Sequence, residues 1–465
     1  MLIGRQDELD QLSEDYKSTK STIAVLYGRR RVGKSFLLQH YSQKKKNSLY
    51  FEGLENEQTP GQILHFLRQW AKQSKQPNIA KYKFTSWNEV FDELTKTIKQ
   101  HKQKTVIVFD EFQWMASQQT RLVSLIKFYW DNHWKNENIQ LVLCGSIAHF
   151  MVERVIHSKA LYGRIQVEML IEELPAMDAR KLLKQRSEKE CLKYGLVLGF
   201  IPLYLESVNQ KKSFEINIKE MFFQKNSYFL NEYEKIFFSQ FKEWKTYQTI
   251  TESLLDRPLS LVEISNKTAV KSGGGLTKYL HHLILAGFVE ELNDPLYPSQ
   301  KKKRYRVADP YVAFFDKYVK NRKKIISSQS SHRLFETHVL PNWNPWLGYR
   351  FEYFCHKNAM SIAENLGFAD KVETFGPLFS NMKGGHQIDL LFKRSDQVLT
   401  VCEVKYIEGA VEPSIISEFE RKISHLDQKK WTIEKVLIAP HGASKSLQAS
   451  NYFHEILDLK KWPFS

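Results

Sequence analysis

The chain has 465 residues, which is long for a single domain and predicts two to four of them. A hydrophobic fraction of 42% can supply packed cores, and no segment approaches the roughly 18 to 20 consecutive apolar residues of a membrane span, so no membrane partner is expected. The 68 Lys and Arg residues outnumber the 52 Asp and Glu residues and give a net charge of +16. This excess indicates a polyanionic partner, most simply nucleic acid, with a basic surface that only aids solubility as the alternative.

Two further features predict a cytoplasmic protein. The N-terminus becomes polar within a few residues of Met1, unlike a signal peptide. The cysteines are far apart and form no C-x-x-C pair, so we expect reduced, mostly buried thiols and no zinc site. They are Cys144, Cys191, Cys355 and Cys402.

The order of apolar runs and helical patterns divides the chain. Up to residue 170 the two alternate, which predicts an α/β domain with strands at 23–27, 48–51, 105–109, 139–144 and 165–170. A helical, aromatic-rich segment follows, then three helices and a hairpin, then a polar stretch at 327–331 that predicts a linker. A second α/β pattern occupies the remainder.

A phosphate-binding loop is the strongest motif. Residues 28–35 match G-x-x-x-x-G-K-[ST] at every fixed position, between an apolar run and a helical pattern, which is the context that a P-loop requires. In such a loop the backbone amides face one concavity, the lysine binds the terminal phosphates and the hydroxyl binds Mg²⁺. The predicted nucleotide-binding residues are Gly28, Arg29, Arg30, Arg31, Val32, Gly33, Lys34, Ser35 and Phe36.

The other half of a nucleotide site is an apolar strand that ends in an acid. Asp110 and Glu111 follow the apolar run 106–109. We expect Asp110 to hold Mg²⁺, mainly through water, and Glu111 to orient and deprotonate the attacking water. The alternative is an ordinary helix start that carries two acids.

Two more polar residues fit a nucleotide hydrolase. Ser146 follows the strand predicted at 139–144, where it could sense the γ-phosphate. Arg164 lies in a loop before the last strand, where an arginine can stabilise transition-state charge in cis or in trans; a trans role would require a homo-oligomer. A surface arginine is the alternative.

Residues 1–310 resemble the archaeal-type ATPase family of AAA+-like P-loop proteins, close to the STAND signalling NTPases. The motifs that carry the resemblance are Ile3-Gly4-Arg5, the P-loop, Phe109-Asp110-Glu111, Cys144-Gly145-Ser146 and Leu161-Tyr162-Gly163-Arg164. The resemblance implies ATP and Mg²⁺ as cofactors and places Gly4 and Arg5 near the adenine. It also assigns Pro202 to a nucleotide-sensing helical subdomain, although this chain has Leu198-Gly199 where the family often has two glycines.

The segment after residue 240 resembles the winged helices that follow this ATPase module. A first helix at 259–265 and a recognition helix at 276–287 precede the strands of a wing, with a lysine run near its tip. The basic run predicts phosphate contacts, so DNA is the expected partner; the alternative is a winged helix that packs on its neighbours. The predicted DNA-facing residues are Lys271, Lys278, His281, His282, Lys301, Lys302, Lys303, Arg304 and Arg306.

A second group of charged residues lies near the C-terminus. Asp389 opens one apolar run, and Glu403 and Lys405 end the next, across a turn predicted at 394–397. Because side chains alternate along a strand, Glu403 and Lys405 share a face. Two carboxylates so placed can bind Mg²⁺, and the lysine can position or activate water beside a phosphate.

This D-(x)n-E-x-K pattern resembles the PD-(D/E)XK nuclease fold, and the region from residue 332 is similar to a C-terminal domain of uncharacterised function that is often fused to this ATPase family. The resemblance implies a third acid from the first helix, where Glu352 stands, and Ile388 replaces the proline of the motif. Lys422 and Lys429 are candidate phosphate contacts. The alternative is a degenerate fold whose acids form salt bridges.

The predicted fold class is α/β with four parts: a parallel-sheet P-loop ATPase core at 1–170, a helical lid or sensor subdomain at 171–240, a winged helix at 241–325 and a PD-(D/E)XK-like α/β domain at 326–465. The predicted function is an ATP-hydrolysing, DNA-binding protein whose ATPase regulates a Mg²⁺-dependent endonuclease. One alternative is a non-catalytic STAND-type switch with an inert nuclease fold. Another is an ATP-dependent, peptide-handling chaperone.

Overall fold

A computed structural model describes residues 2–116, 121–296, 303–329, 331, 333–379, 387–427 and 429–464. These residues form two compact units, Met1–Leu174 and Pro175–Ser465. Lys301 and Lys302 of the predicted wing lie outside the described residues. Within the described ranges, no helix is both long enough and apolar enough to cross a membrane. All four cysteines are buried as free thiols.

The first unit is built on a five-stranded parallel sheet in the order β2-β3-β4-β1-β5. Its strands, each within two residues of the predicted bounds, are β1 (Thr22–Tyr27), β2 (Ser48–Glu52), β3 (Thr105–Asp110), β4 (Ile139–Gly145) and β5 (Ile165–Leu170). Every residue of the central strands β3 and β4 is buried, which explains their uninterrupted apolar sequences.

Helices surround this sheet. They are α1 (Gln6–Lys17), α2 (Lys34–Gln43), α3 (Thr59–Ser74), α4 (Trp87–Gln100), α5 (Phe112–Met115), α6 (Arg121–Tyr129) and α7 (Ala148–Phe150). Short 3₁₀ or π segments occur at Pro77–Lys81, Trp130–Trp134 and Met151–Ile156. The best-defined start is that of α4, where Ser86 and Glu89 form a reciprocal capping box.

The second unit begins with a helical region and a hairpin. Its helices are α8 (Ala176–Leu182), α9 (Glu188–Leu198), α10 (Pro202–Glu206), α11 (Phe214–Phe223), α12 (Tyr228–Gln240), α13 (Trp244–Ser253), α14 (Leu261–Thr268) and α15 (Gly274–Leu285). The antiparallel strands β6 (Val289–Leu292) and β7 (Arg304–Val307) follow. The sequence predicts three helices followed by a hairpin here, and the structure has α13, α14 and α15 followed by the hairpin of β6 and β7.

The rest of the unit contains a mixed sheet in the order β12-β11-β10-β9-β8. Its strands are β8 (Val372–Phe379), β9 (Gln387–Arg394), β10 (Val398–Val404), β11 (Thr432–Ile438) and β12 (Glu455–Leu457). The accompanying helices are α16 (Pro310–Phe314), α17 (Lys323–Ser328), α18 (Trp343–Lys357), α19 (Ala359–Asn365), α20 (Ile415–Ile423) and α21 (Lys445–Ala449). The remaining short helical segments are Phe315–Val319, Lys320–Arg322, Phe335–Val339, Leu340–Asn342 and Ala369–Lys371.

The direction of pairing changes within this sheet. β8, β9 and β10 are antiparallel neighbours, whereas β11 pairs in parallel with β10 and with β12. The parallel step requires a crossover, which α20 supplies. The apolar face of α20, at helical spacing, packs into the sheet core through Ile415, Phe419 and Ile423.

A buried charge cluster ties the β6–β7 hairpin to α18. Glu290 and Arg306 are opposite each other in the hairpin, and Arg306 Nε donates to Glu290 Oε2 at 2.9 Å. His356 of α18 contacts the other Glu290 oxygen. Arg350, also on α18, donates to the carbonyls of Val307 at 3.0 Å and of residue 308 at 2.8 Å. The hairpin is therefore fixed to the C-terminal α/β region by charge-assisted bonds.

Replacing Glu290 by Gln is expected to lower the free energy of unfolding by about 3–5 kcal/mol, because Arg306 would stay buried without its counter-ion. Burial alone would raise the pKa of Glu290, but Arg306 and His356 lower it from 4.5 to about 2. A depressed carboxyl pKa contributes stability above pH 4.5 that is lost as the pH falls toward 2. The difference between E290Q and wild type in urea unfolding should therefore shrink with acidification. Equal losses in E290Q and in the exposed control E215Q would contradict this assignment.

Candidate functional site

The parallel sheet of the first unit brings three predicted motifs to one edge. The last residue of β1, Tyr27, pairs with Gly145 of β4, and Phe109 of β3 pairs with Leu143 of the same strand. Because the strands are parallel, the residues that follow β1, β3 and β4 all emerge at their carboxyl ends. The P-loop, the Asp110–Glu111 pair and Ser146 therefore share this edge.

The backbone of the P-loop depends on its glycines. Gly28 has φ of 142°, and a Cβ there would lie 2.3 Å from the carbonyl oxygen of Ile171, which follows β5. Gly33 has φ of 94° and directly precedes α2. Arg31 takes the left-handed region with φ of 77°. The loop thus leads into a helix N-terminus whose amides and dipole favour a phosphate.

Lys34 is buried at the start of α2. Its ammonium donates to the carbonyls of Gly28 at 2.8 Å and Arg29 at 2.7 Å. Burial lowers the Lys34 pKa, against the fields of Cys144, Glu111 and Asp110, which raise it. The lysine predicted to bind phosphate and the acid pair are therefore within electrostatic reach of each other.

Asp110 is fixed by two donors. The hydroxyl of Tyr50 bonds to Oδ2, and the backbone amide of Glu111 donates to Oδ1 at 2.9 Å. Burial, together with Asp110, raises the pKa of Tyr50 far above its usual value, so the phenol remains a donor. No sequence motif marks Tyr50, because its contact with Asp110 arises only from the pairing of β2 with β3.

Glu111 is held in a defined position. Its backbone is left-handed, with φ of 48°, at the turn between β3 and α5. The hydroxyl of Ser146 donates to Glu111 Oε2 at 2.7 Å, and the amide of Gln113 bonds to the same oxygen. Gln113 also donates to the Ser146 hydroxyl at 3.2 Å. The predicted base and the predicted γ-phosphate sensor thus form one hydrogen-bonded group, to which the structure adds Gln113.

Arg5 is hydrogen-bonded to the backbone of the P-loop. It is buried and donates to the carbonyl of Val32 at 2.9 Å and to that of Glu172 at 2.5 Å, while pairing with Glu8 at 2.8 Å. Gly4, with φ of 65°, precedes it in the turn before α1. These bonds give Arg5 a structural task in the loop, and its predicted place near the adenine stays a prediction.

The other predicted nucleotide residues lie around the same loop. Arg30 pairs with Glu55 at 3.2 Å, and its guanidinium lies 5.9 Å from the ring centroid of Trp114. Ser35 is half-buried in the first turn of α2, and Phe36 is half-exposed beside it. Pro202 lies in the second unit, in the first turn of α10, and its sensor role stays a prediction.

Arg164 lies away from the P-loop edge. It immediately precedes β5, whose first residue pairs with Ile23 at the start of β1. The P-loop follows the other end of β1, four residues along at about 3.3 Å each, or roughly 13 Å away. Arg164 forms a bidentate pair with Asp131 at 2.8 and 2.9 Å, and hydrogen bonding to Arg164 lowers the Asp131 pKa to about 2.

In the second unit, the hairpin of β9 and β10 brings the predicted acids together. Leu390 pairs with Cys402, which places Asp389 across from Glu403. The backbone amide of Val404 donates to Asp389 Oδ2 at 3.0 Å. Burial and the neighbouring carboxylates Glu352 and Glu403 raise the Asp389 pKa well above its usual range.

Two lysines meet these acids. Lys422 of α20 donates to both Glu403 oxygens at 2.8 Å and lies 3.9 Å from Asp389 Oδ1. Lys405 lies 3.0 Å from Glu403 and 3.3 Å from Glu418. The sequence places Lys405 beside Glu403 correctly, whereas it assigns Lys422 to phosphate and misses its bonds to the acid.

Glu352 of α18 completes the group. Burial raises its pKa; the charges of Arg306, Lys422 and Lys405 oppose that shift and Glu403 adds to it. The three acids are therefore electrostatic neighbours. Even so, within the described ranges no group of three or more His, Cys, Asp or Glu side chains is arranged to hold a metal ion. A metal here would rest on Asp389 and Glu403 with water, which is within the usual habit of Mg²⁺.

Most described cations of the predicted wing, and of the basic stretch 317–324 that follows it in the sequence, form ion pairs inside the second unit. The pairs are Lys303–Glu291, Arg304–Glu263, Arg306–Glu290, Lys317–Asp256, Lys320–Glu252 and Lys323–Glu234. On α15, Lys278 and His281 are exposed as expected. His282 is buried, 2.7 Å from the Tyr247 hydroxyl, so the prediction that it faces DNA is wrong: the helix turns it toward α13.

Comparisons with known proteins agree with the first site. Residues 2–196 match a family described as an ATPase domain predominantly from Archaea. An uncharacterized protein of Methanocaldococcus jannaschii is 29% identical over 418 residues, which cover 87% of this chain and 88% of that protein. An uncharacterized ATP-binding protein of the same organism is 39% identical over 46 residues, 10% of this chain and 78% of that protein.

A solved structure gives the fold. The Walker-type ATPase of Pyrococcus abyssi superposes with a TM-score of 0.52 at 19% identity, covering 68% of this chain and 96% of its own. At this level of identity the superposition shows a shared fold. Residues 2–196 therefore match an ATPase-domain family found predominantly in Archaea, and this match supports nucleotide binding at the P-loop edge.

Proposed function

We propose that this protein hydrolyses ATP in its first unit and thereby regulates a Mg²⁺-dependent DNA-cleaving centre at Asp389 and Glu403. The observation that carries the proposal is the meeting of Lys34, Asp110 and the Glu111–Ser146–Gln113 group at one sheet edge. Four domains, at 1–170, 171–240, 241–325 and 326–465, are part of the same proposal.

In the proposed ATPase site each of these side chains has a separate role. Lys34 would bind the β- and γ-phosphates, and Ser35 and Asp110 offer the hard oxygen ligands that suit Mg²⁺, which would neutralise phosphate charge. Glu111 would accept a proton from the attacking water. Its bonds to Ser146 and Gln113 support a conformational switch, because a γ-phosphate that engages Ser146 would remove one of the two hydrogen bonds to Glu111 Oε2.

Arg164 supports an oligomer. Its place at the edge opposite the P-loop favours catalytic action on a neighbouring copy. It would first have to leave Asp131, to which it is bound through two hydrogen bonds. The proposal therefore includes a homo-oligomer in which the arginine reaches another subunit's nucleotide.

The DNA half rests on the acid group of the second unit. Asp389 and Glu403 would hold Mg²⁺, and Lys405 would position water beside the scissile phosphate. The sheet supports this, because two antiparallel strands present both acids and α20 carries a further cation to them. The net charge of +16 supports a polyanionic partner, although most described wing cations are already paired.

One observation favours a second function, a nucleotide switch with an inert nuclease fold. The Lys422 ammonium lies between Glu403 and Asp389, where it supplies the positive charge that a metal would otherwise supply. In this alternative the acids serve only to hold α20 against the sheet. ATP binding would then change assembly or partner binding without cleavage.

Two variants of the nucleotide site should lose different steps, one ATP binding and the other ATP hydrolysis. Lys34→Ala should abolish ATP binding, because the phosphates lose their buried cation. Glu111→Gln should still bind ATP but turn it over about 10²–10⁴-fold more slowly, the usual loss for a general base. Binding of a fluorescent ATP analogue and phosphate release measure the two steps. Normal ATP binding by Lys34→Ala would contradict the proposed nucleotide site. Lys99→Ala, the same change at an exposed lysine, is the control.

Asp389→Ala should remove Mg²⁺-dependent cleavage of DNA and leave ATP turnover unchanged. Single- and double-stranded DNA are incubated with Mg²⁺ or Mn²⁺, with and without ATP, and the products are resolved on gels. Asp370→Ala, an exposed aspartate with the same chemical change, is the control. Cleavage that persists in Asp389→Ala would exclude this centre, whereas no cleavage by wild type beside DNA-stimulated ATP turnover would favour the switch.

Lys422→Met separates the two proposals further. If Lys422 substitutes for a metal, its loss frees both carboxylates and should tighten Mg²⁺ or Mn²⁺ binding at least tenfold by calorimetry. If the metal already binds beside Lys422, affinity should change less than threefold. Melting temperature checks the fold, since Lys422 bonds a buried acid.

A further inference from the structure

A cavity of about 870 Å³ opens in the second unit beside the acid group, which consists of Asp389, Glu403 and Glu352. Its walls are the loop that follows β10 and the first turns of α20. The volume lies within the range of about 300–1,000 Å³ that is usual for small-ligand sites. All the residues that line it are among the described ones.

The lining combines an apolar surface with hydroxyls. Ile407, Ala410 and Ile415 contribute apolar surface, and Ile407 is 41% exposed although it is aliphatic. Ser414 and Ser417 add hydroxyls at the start of α20. A flat heteroaromatic ring with polar edges matches this composition, because apolar side chains can cover its faces while hydroxyls meet its edges.

Cations stand at the borders of the cavity. Lys405 lines it, and its ammonium is 3.0 Å from Glu403, so this residue connects the cavity with the acids. Arg421 lines another side and is exposed. Its guanidinium forms no ion pair with any described residue. Two acids, Glu412 and Glu418, also line the cavity, and Glu418 is paired with Lys405.

We propose that this cavity receives one unpaired nucleotide of a nucleic-acid strand, with its base on Ile407 and Ala410 and its phosphates near Lys405 and Arg421. The inference rests on the proposed function, since it deepens the substrate of the same centre. A phosphate that reaches Lys405 lies beside Asp389 and Glu403, and the next nucleoside along the strand then lies at the cavity mouth. We favour a nucleotide over a free small molecule because the cavity lies next to the acid group, so a strand bound at the acids would extend into the cavity.

An unpaired nucleotide fits better than a base pair. A base inside a duplex is stacked on both faces and would have to flip, at a cost of a few kcal/mol, before it could enter. A single strand, a frayed end or a flap presents such a base without that cost. The centre is therefore expected to prefer substrates with single-stranded segments.

Ala410→Trp tests the inference by filling the cavity. Binding of fluorescein-labelled dT20 to the full-length protein is measured by anisotropy in EDTA, so that no metal-dependent cleavage occurs. The variant should bind dT20 at least tenfold more weakly than wild type, and its affinity for a 20-base-pair duplex should change less than threefold. Ala449→Trp, the same change at an exposed site on α21, should behave like wild type.

Arg421→Gln provides a second variant that does not depend on filling the cavity. If Arg421 contacts a phosphate, the slope of log affinity against log salt should become shallower by about 0.7, the contribution of one contact to a single strand. Melting temperature and ATP turnover should be unchanged in both variants. The same measurement is made with the RNA oligomer rU20. If Ala410→Trp weakens binding of rU20 more than binding of dT20, the bound nucleotide belongs to RNA.

The failures are distinguishable. Folded Ala410→Trp that binds dT20 and rU20 like wild type overturns the cavity inference, while the cleavage assay with Asp389→Ala decides the proposed function separately. Wild type that binds neither oligomer also overturns the inference. Equal losses in Ala410→Trp and Ala449→Trp, or equal losses for dT20 and duplex, overturn it as well, because they would show no selective role for the cavity.

Discussion

The parallel alignment of β1, β3 and β4 is the constraint on which the first unit depends. Each strand carries one part of the nucleotide site just beyond its carboxyl end, and none of these parts can work alone. The close approach of Gly28 to the Ile171 carbonyl shows how tightly the P-loop is tied to the sheet. A shift in the pairing of any one strand would separate the lysine, the acids and the serine, which makes fold and site inseparable here.

Charge burial organises the second unit in a different way. A buried carboxylate is costly unless it is paired and hydrogen-bonded, and this unit buries several. Glu290 is matched by Arg306 and His356, and Glu403 by Lys422 and Lys405. These pairs join α18, the β6–β7 hairpin, α20 and the central sheet, so the same groups that could perform chemistry also hold the elements together. That double role is why an inert fold and an active centre have nearly the same sequence signature.

The sequence was sufficient where function depends on contiguous residues. The P-loop, the Asp110–Glu111 pair and the five strands follow from local pattern, and the family match over residues 2–196 supports an ATPase domain. The sequence was insufficient where partners are distant in the chain. Nothing local indicates that Tyr50 bonds Asp110, that Gln113 and Ser146 share an oxygen of Glu111, or that Lys422 faces Glu403. These contacts depend on strand order and helix crossover, which apolar periodicity does not encode.

The ion pairs of the β6–β7 hairpin are also invisible in the sequence. A run of cations in a sequence indicates a nucleic-acid surface only if the acids that could neutralise it lie elsewhere. Here Lys303, Arg304 and Arg306 find their acids across the hairpin and on α14, because cross-strand neighbours in an antiparallel pair are set by register rather than by sequence distance. The described residues of this hairpin therefore carry less unpaired positive charge than the sequence suggests. Arg421 lies between Glu420 and Lys422 in the sequence, and its side chain is exposed beside the cavity. The proposed nucleotide contact depends on this position and not on the length of a basic run.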